Sequence, residues 1–180
     1  MAIVTLAAAK AQLNISASDT AADVELQTYI DAATAAVEEQ LGQVVEQRTV
    51  VDQLDFAGSA RSFLLRSVPA VSLTSLTSLD GLQSWDVGSM HVDGESGLVT
   101  LLSGSSVTGS VLAAYQAGMA AVPANYRLAG LIIIQHLWET QRGTMGVQLG
   151  GDADNYVAGR GFAIPRRAIE LLGPQLPGVA

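Results

Sequence analysis

The chain contains no cysteine. Disulfides, thiolate nucleophiles and cysteine-ligated zinc or iron–sulfur sites are therefore excluded. Histidine is nearly absent, with only His91 and His136. Charged residues make up 14% and aromatic residues 5% of the 180. The solvated surface of a free monomer ordinarily carries more Lys and Glu. So little charge fits a surface largely covered by other protein. It equally fits a composition in which Ala, Gly and Ser simply dominate. Apolar residues reach 49%, which excludes disorder. The length suffices for one domain with a real core, or one domain with an insertion.

No long hydrophobic run occurs. The longest uncharged apolar stretch in the most apolar segment is Leu128–Trp138, and Gln135 and His136 interrupt it. A membrane-spanning helix needs about 20 such residues. The start, MAIVTLAAAK, lacks a basic region and a cleavage site, so no signal peptide is expected. The expectation is a soluble protein made in the cytoplasm, without a membrane partner.

Bases are scarce, nine Lys and Arg against 17 Asp and Glu, for a net charge of −8. The imbalance is uneven. Residues 1–115 hold 13 acids and 4 bases, whereas residues 116–180 hold 4 acids and 5 arginines. An acidic chain does not wrap nucleic acid tightly. It would suit a wall that a polyanion slides past.

Catalytic sets are missing as well. There is no Gly-x-Ser-x-Gly elbow and no phosphate loop. His91 lies near Asp93 and Glu95, but a metal site needs converging ligands of fixed geometry, and a solvated hairpin is the plainer reading. The segment Gly150–Asn155 departs from a calcium loop. Tyr156 stands at the fifth ligand position, Gly is absent at the sixth, and Ala163 replaces the closing Glu. No cofactor and no metal are expected, and the chain is read as non-enzymatic.

What is present is helical periodicity at both ends and strand periodicity between them. Thr5 precedes LAAAKAQLNI as an N-cap, with Leu6, Ala9 and Leu13 on one face. After the polar break Ser16–Thr20, Asp19 or Thr20 is expected to cap a longer helix reaching Leu41. Leu26, Ile30, Ala33, Val37 and Leu41 have clean helical spacing. Gly42 suits the position just beyond the helix. The period then changes. Val50–Phe56 and Arg61–Val68 read as strands, followed by a strand after Pro69 in which Val71 and Leu73 alternate with Ser72 and Thr74 and which ends at Asp80-Gly81. Met90–Val92 and Leu98–Leu102 flank Asp93–Gly97 as a hairpin. Val107–Tyr115 is a last strand, and Trp85 falls in a loop.

Gly118–Arg142 reads as a helix apolar nearly all round, with Pro123 at its first position. A helix of that kind lies in a core, in a membrane or between subunits. Gly143–Ala163 holds six glycines without period and reads as a loop or arm. Arg166–Leu172 is a short helix started by Pro165 and closed by Gly173-Pro174. The fold class is α+β: a helical core with an inserted antiparallel β-rich region. The expected division is 1–43, N-terminal helices; 44–116, β-rich insertion; and 117–180, core helix, arm and C-terminal helix.

The order of these parts resembles a known family. TLAAAKAQLNI precedes a helix ending QLG. VPAVSLTSL, HVDGESGLVTL and VLAAYQAG follow, then VPANYRLAGLIIIQHLWETQRG and the closing IPRRAIELLGP. The order is similar to that of the head–tail connector (adaptor) proteins of long-tailed bacteriophages, over nearly the whole chain. The resemblance implies a structural virion protein forming a ring of about a dozen subunits beneath the portal. That ring would continue the DNA channel, without specific DNA binding, and meet a stopper or tail-completion protein. It also implies portal contacts from Gly143–Ala163 and Ile164–Pro174, with Tyr156, Arg160, Phe162, Arg166 and Arg167 as candidates. Candidates for the ring contact are Ile133, His136, Trp138 and Arg142. The other readings are a different tail-completion or stopper protein and, last, a cytoplasmic small-molecule enzyme.

Overall fold

The computed structural model describes residues 2–142 and 164–173. The chain order is α1 (Leu6–Gln12), α2 (Asp23–Leu41), β1 (Arg48–Ala60), β2 (Ser62–Leu64), β3 (Ala70–Ser78), β4 (Ser84–Trp85), β5 (Met90–Val92), β6 (Leu98–Leu101), β7 (Val107–Ala117), α3 (Ala124–Arg142) and α4 (Arg166–Leu172). These elements form two compact units, a helical one from α1–α4 and a strand one from residues 42–122.

The helical unit follows the apolar spacing. The Thr5 side chain accepts from the Ala8 amide at 3.2 Å and starts α1. Leu26, Ile30, Ala33, Val37 and Leu41 of α2 are all buried, as their spacing predicts. Gly42 ends α2 with φ of 66°, a conformation that costs glycine nothing. One expected cap is corrected. Asp19 accepts from the Ala21 amide at 3.0 Å and so turns the preceding loop, and α2 begins only at Asp23. Thr20 does not cap it through its side chain either; its carbonyl accepts from the Asp23 amide at 3.2 Å. Lys10 is buried at the end of α1. Its Nζ donates to the Asp19 carbonyl at 2.8 Å and pairs with Asp23 in the first turn of α2. Each charge sits where the dipole of its own helix favours it.

Pro123 lies one position outside α3, and its carbonyl accepts from the Arg127 amide at 3.1 Å. Pro165 holds the same place before α4. Ala129, Gly130, Ile133, Ile134 and Leu137 form the buried side of α3. Gly130 faces Ile3 and Val4 so closely that a Cβ there would lie 3.1 Å from the Val4 side chain. Trp138 meets Tyr29 of α2 edge-on, with ring centroids 6.5 Å apart. α4 buries Ala168 and Leu172, and the Asn125 side chain donates to the Leu171 carbonyl at 2.9 Å.

In the strand unit, every ladder between strands is antiparallel. One sheet has the order β1-β7-β3-β4 and the other β2-β6-β5. Val111, Ala113, Tyr115 and Ala117 alternate inward along β7, the period-two pattern of a half-buried strand. They share one core with Phe63, Val99 and Leu101 of the smaller sheet. The β5–β6 hairpin forms as read, with the Asp93 amide donating to Leu98 O at 2.8 Å.

Three expectations in this region are corrected. The strand expected over Arg61–Val68 shrinks to Ser62–Leu64. Register shifts between Ala70 and Ser72 and between Leu73 and Ser75 break the alternation of β3, leaving Val71 50% exposed. Trp85, expected in a loop, sits in β4, 8% exposed, and its indole N–H donates to the Ser106 carbonyl at 3.4 Å. The unit's two ends are neighbours. Glu46 bridges Met119 in parallel, and the Met119 amide donates to Val45 O at 3.1 Å.

Candidate functional site

The helical face that spacing singled out divides into two sides. Ile133 is fully buried inside the helical unit and exposes no side-chain surface. His136 and Trp138 are half-buried, and Arg142 closes α3. Leu128 is 42% exposed, with Leu131 and Ile132 partly exposed beside it. α3 is thus a core helix on one side and keeps an apolar strip on the other.

On α4, Arg166 and Arg167 are both exposed, and Arg166 forms a surface pair with Glu170 at 3.4 Å. Such a pair contributes little to stability, so both guanidinium groups stay available to an acidic partner. Tyr156, Arg160, Phe162 and the segment Gly143–Ala163 lie outside the described residues, as does the calcium-like stretch.

The hairpin acids behave as solvated turn residues. Asp93 accepts from the Ser96 hydroxyl and the Glu95 amide, and these bonds hold its carboxyl below the ordinary range. Asp80 is lowered in the same way by the Ser78 hydroxyl and the Leu82 amide. His91 is exposed on β5. Among the described residues, no group of three His, Asp or Glu side chains could hold a metal ion. Nor is any described helix long and apolar enough to cross a membrane.

One constellation escaped the sequence reading. Asp52 points inward from β1, in a row with the partly buried Val50, Leu54 and Phe56. A charge among apolar side chains needs partners. The Tyr115 hydroxyl donates to Asp52 Oδ2 at 2.7 Å, and the Arg66 amide donates to the same oxygen at 2.9 Å. The Tyr115 oxygen accepts from the Ser67 amide at 2.9 Å. Burial pushes the Tyr115 phenol above its ordinary value, and the hydrogen bond to Asp52 adds to the rise. The set ties the loop after β2 to the larger sheet; nothing in it resembles a nucleophile with its base. An Asp inside an otherwise alternating strand was the only available sign of it.

Comparison with known proteins gives the chain its family. No curated protein matches the chain. Solved structures match its fold along nearly its whole length. A chain from the neck of an empty GTA particle computed with C6 symmetry is 18% identical, with a TM-score of 0.64, covering 96% of this chain and 89% of that one. A chain from the virion of a native gene transfer agent particle is 17% identical, with a TM-score of 0.66 and the same coverage. A chain from the neck of a native GTA particle computed with C12 symmetry gives 18% and 0.59, over 86% of this chain and 84% of that one. The family model described as "Head completion protein" matches residues 2–174, and the chain therefore belongs to the head completion protein family.

Proposed function

We propose that the chain is a structural head–tail connector (adaptor) subunit of a phage-like virion. It forms a ring beneath the portal, continues the DNA channel and joins the head to the tail. The observation that carries this reading is the family match over residues 2–174. The likeness to neck chains supports it, since the same α+β fold occurs in assemblies of sixfold and twelvefold symmetry. Twelve copies in a closed cyclic ring are the stoichiometry this favours.

Within that ring, α3 serves as core and lateral contact together, through His136, Trp138 and Arg142, with the exposed Leu128 beside them. The portal is engaged by Gly143–Ala163, with Tyr156, Arg160 and Phe162, and by Arg166 and Arg167 of α4. The net charge of −8 lets DNA pass without sticking. The strand region acts as an insertion in one domain, and a stopper or tail-completion protein binds the ring's far side. The subunit is assembled in the host cytoplasm, resides in the virion neck and performs no turnover. Long helices favour the adaptor over a mainly β stopper: α2 and α3 are 19 residues each.

The test is electron microscopy of the full chain with its portal, combined with co-purification. Rings stacked on the portal are the expected result. A chain that stays monomeric at high concentration and leaves the portal bare refutes the reading.

A further inference from the structure

The ring reading leaves open which surface of a neighbour receives the apolar strip of α3, and the charges of the helical unit bear on that. α2 carries five acids and no base, whereas α3 and α4 together carry four arginines and two glutamates. The side of α2 turned away from its buried residues presents Val24, 84% exposed, with Asp31 and Ala35 exposed along the same side. The side of α3 turned away from its own buried residues presents Leu128, with Ile132 one turn on and Arg127 exposed beside it. The α2 face carries one exposed acid, Asp31, which accepts from the Gln27 side chain at 2.9 Å and lies between the short apolar Val24 and Ala35. The other is an apolar ridge with a base next to it. Joining the two faces brings Arg127 toward Asp31 and Leu128 toward Val24 and Ala35. Pairing unlike faces generates head-to-tail contacts, which close into a ring when the rotation allows.

We infer that the Arg127–Leu128 ridge of α3 docks on the Val24–Asp31–Ala35 face of α2 of a second copy of this chain. The inference rests on the ring reading above. Opposite charge steers the approach and sets the polarity of the contact, and it makes that contact salt-sensitive. A two-fold pairing of α3 with α3 would bring Arg127 toward Arg127 and is disfavoured for that reason.

The absence of cysteine gives a clean test. Ala35→Cys and Leu128→Cys place thiols on the two exposed faces, and a disulfide forms only where Cα atoms come within about 7 Å. Under oxidation, a mixture of the two single variants of the full chain is expected to give a cross-linked dimer. Neither variant alone gives one. The doubly substituted chain gives a ladder of multimers. Arg127→Glu lowers the yield of the mixed dimer several-fold, as does high salt. Micrographs of the same samples separate this pairing from ring formation itself. Rings without mixed cross-links overturn this pairing and leave the ring reading standing. Cross-links within one single variant overturn it in favour of a two-fold contact. Neither rings nor cross-links overturns both.

Discussion

The hydroxyl of Tyr115 on β7 donates to the buried carboxylate of Asp52 on β1 at 2.7 Å, although the ladder pairs Asp52 with Ala113 and Val50 with Tyr115. The contact is diagonal across two strands. It gives the buried Asp52 carboxylate a second donor beside the Arg66 amide. Tyr115→Phe removes the bond and also orphans the Ser67 amide. Stability should fall by about 1–3 kcal/mol, read from the midpoint of urea unfolding at constant m-value. An unchanged midpoint would show that water replaces the hydroxyl without cost.

The same tyrosine makes stability depend on alkaline pH. Its phenol holds its proton more tightly in the folded chain than in the unfolded one, where it titrates near pH 10. The stabilisation is therefore complete below about pH 10 and is lost as pH climbs through the raised folded value. The wild-type chain should lose stability faster than Tyr115→Phe across that window. Parallel curves would place the proton linkage elsewhere.

Gly118 has φ of 114°, and a Cβ there would lie 2.5 Å from the backbone carbonyl of Glu46. Gly118→Ala meets both strain and backbone collision, for a loss of about 3 kcal/mol or more. Gly58→Ala is the control. Its Cβ would meet nothing within 4 Å, so a change within about 0.5 kcal/mol is expected. Thermal unfolding of the two variants side by side measures the contrast.

Lys10→Met replaces a buried ammonium with a side chain of similar length. The Asp19 carbonyl and Asp23 both lose their cation. The expected cost is about 1–3 kcal/mol, with the α1–α2 connection the first region to gain amide exchange. Protection unchanged through residues 13–23 would contradict it.

Arg166 and Arg167 are exposed and make no core contact, so Arg166→Glu with Arg167→Glu should leave the unfolding midpoint intact. Portal binding should weaken about tenfold, or about 1.4 kcal/mol, and the difference should shrink in high salt. Equal binding at all salt concentrations would move the portal contact away from α4.

Much of this fold was legible because it follows from local period. Leu26, Ile30, Ala33, Val37 and Leu41 mark one helix side by spacing alone, and each is buried. The Asp93–Gly97 turn announced its hairpin through short-range chemistry. What stayed hidden depends on partners distant in sequence. Val71 faces outward only because register shifts displace β3 against β7. Trp85 is buried because a two-residue strand pairs with Leu76 and Thr77, a length too short for any period. The Asp52–Tyr115 bond joins residues 63 positions apart, and no local pattern predicts a tie of that span. On α3, the pattern could not say which side of an all-apolar helix its own unit would bury. That choice came from Ile3, Val4 and Tyr29, which pack on it from elsewhere in the chain.

The parallel bridge between Glu46 and Met119 brings the two ends of the strand region side by side. Where a segment leaves and returns at adjacent points, closing the chain across its base takes only a few residues, whatever the segment's length. A change of length inside residues 47–118 therefore need not move the two points at which the strand region joins the rest of the chain.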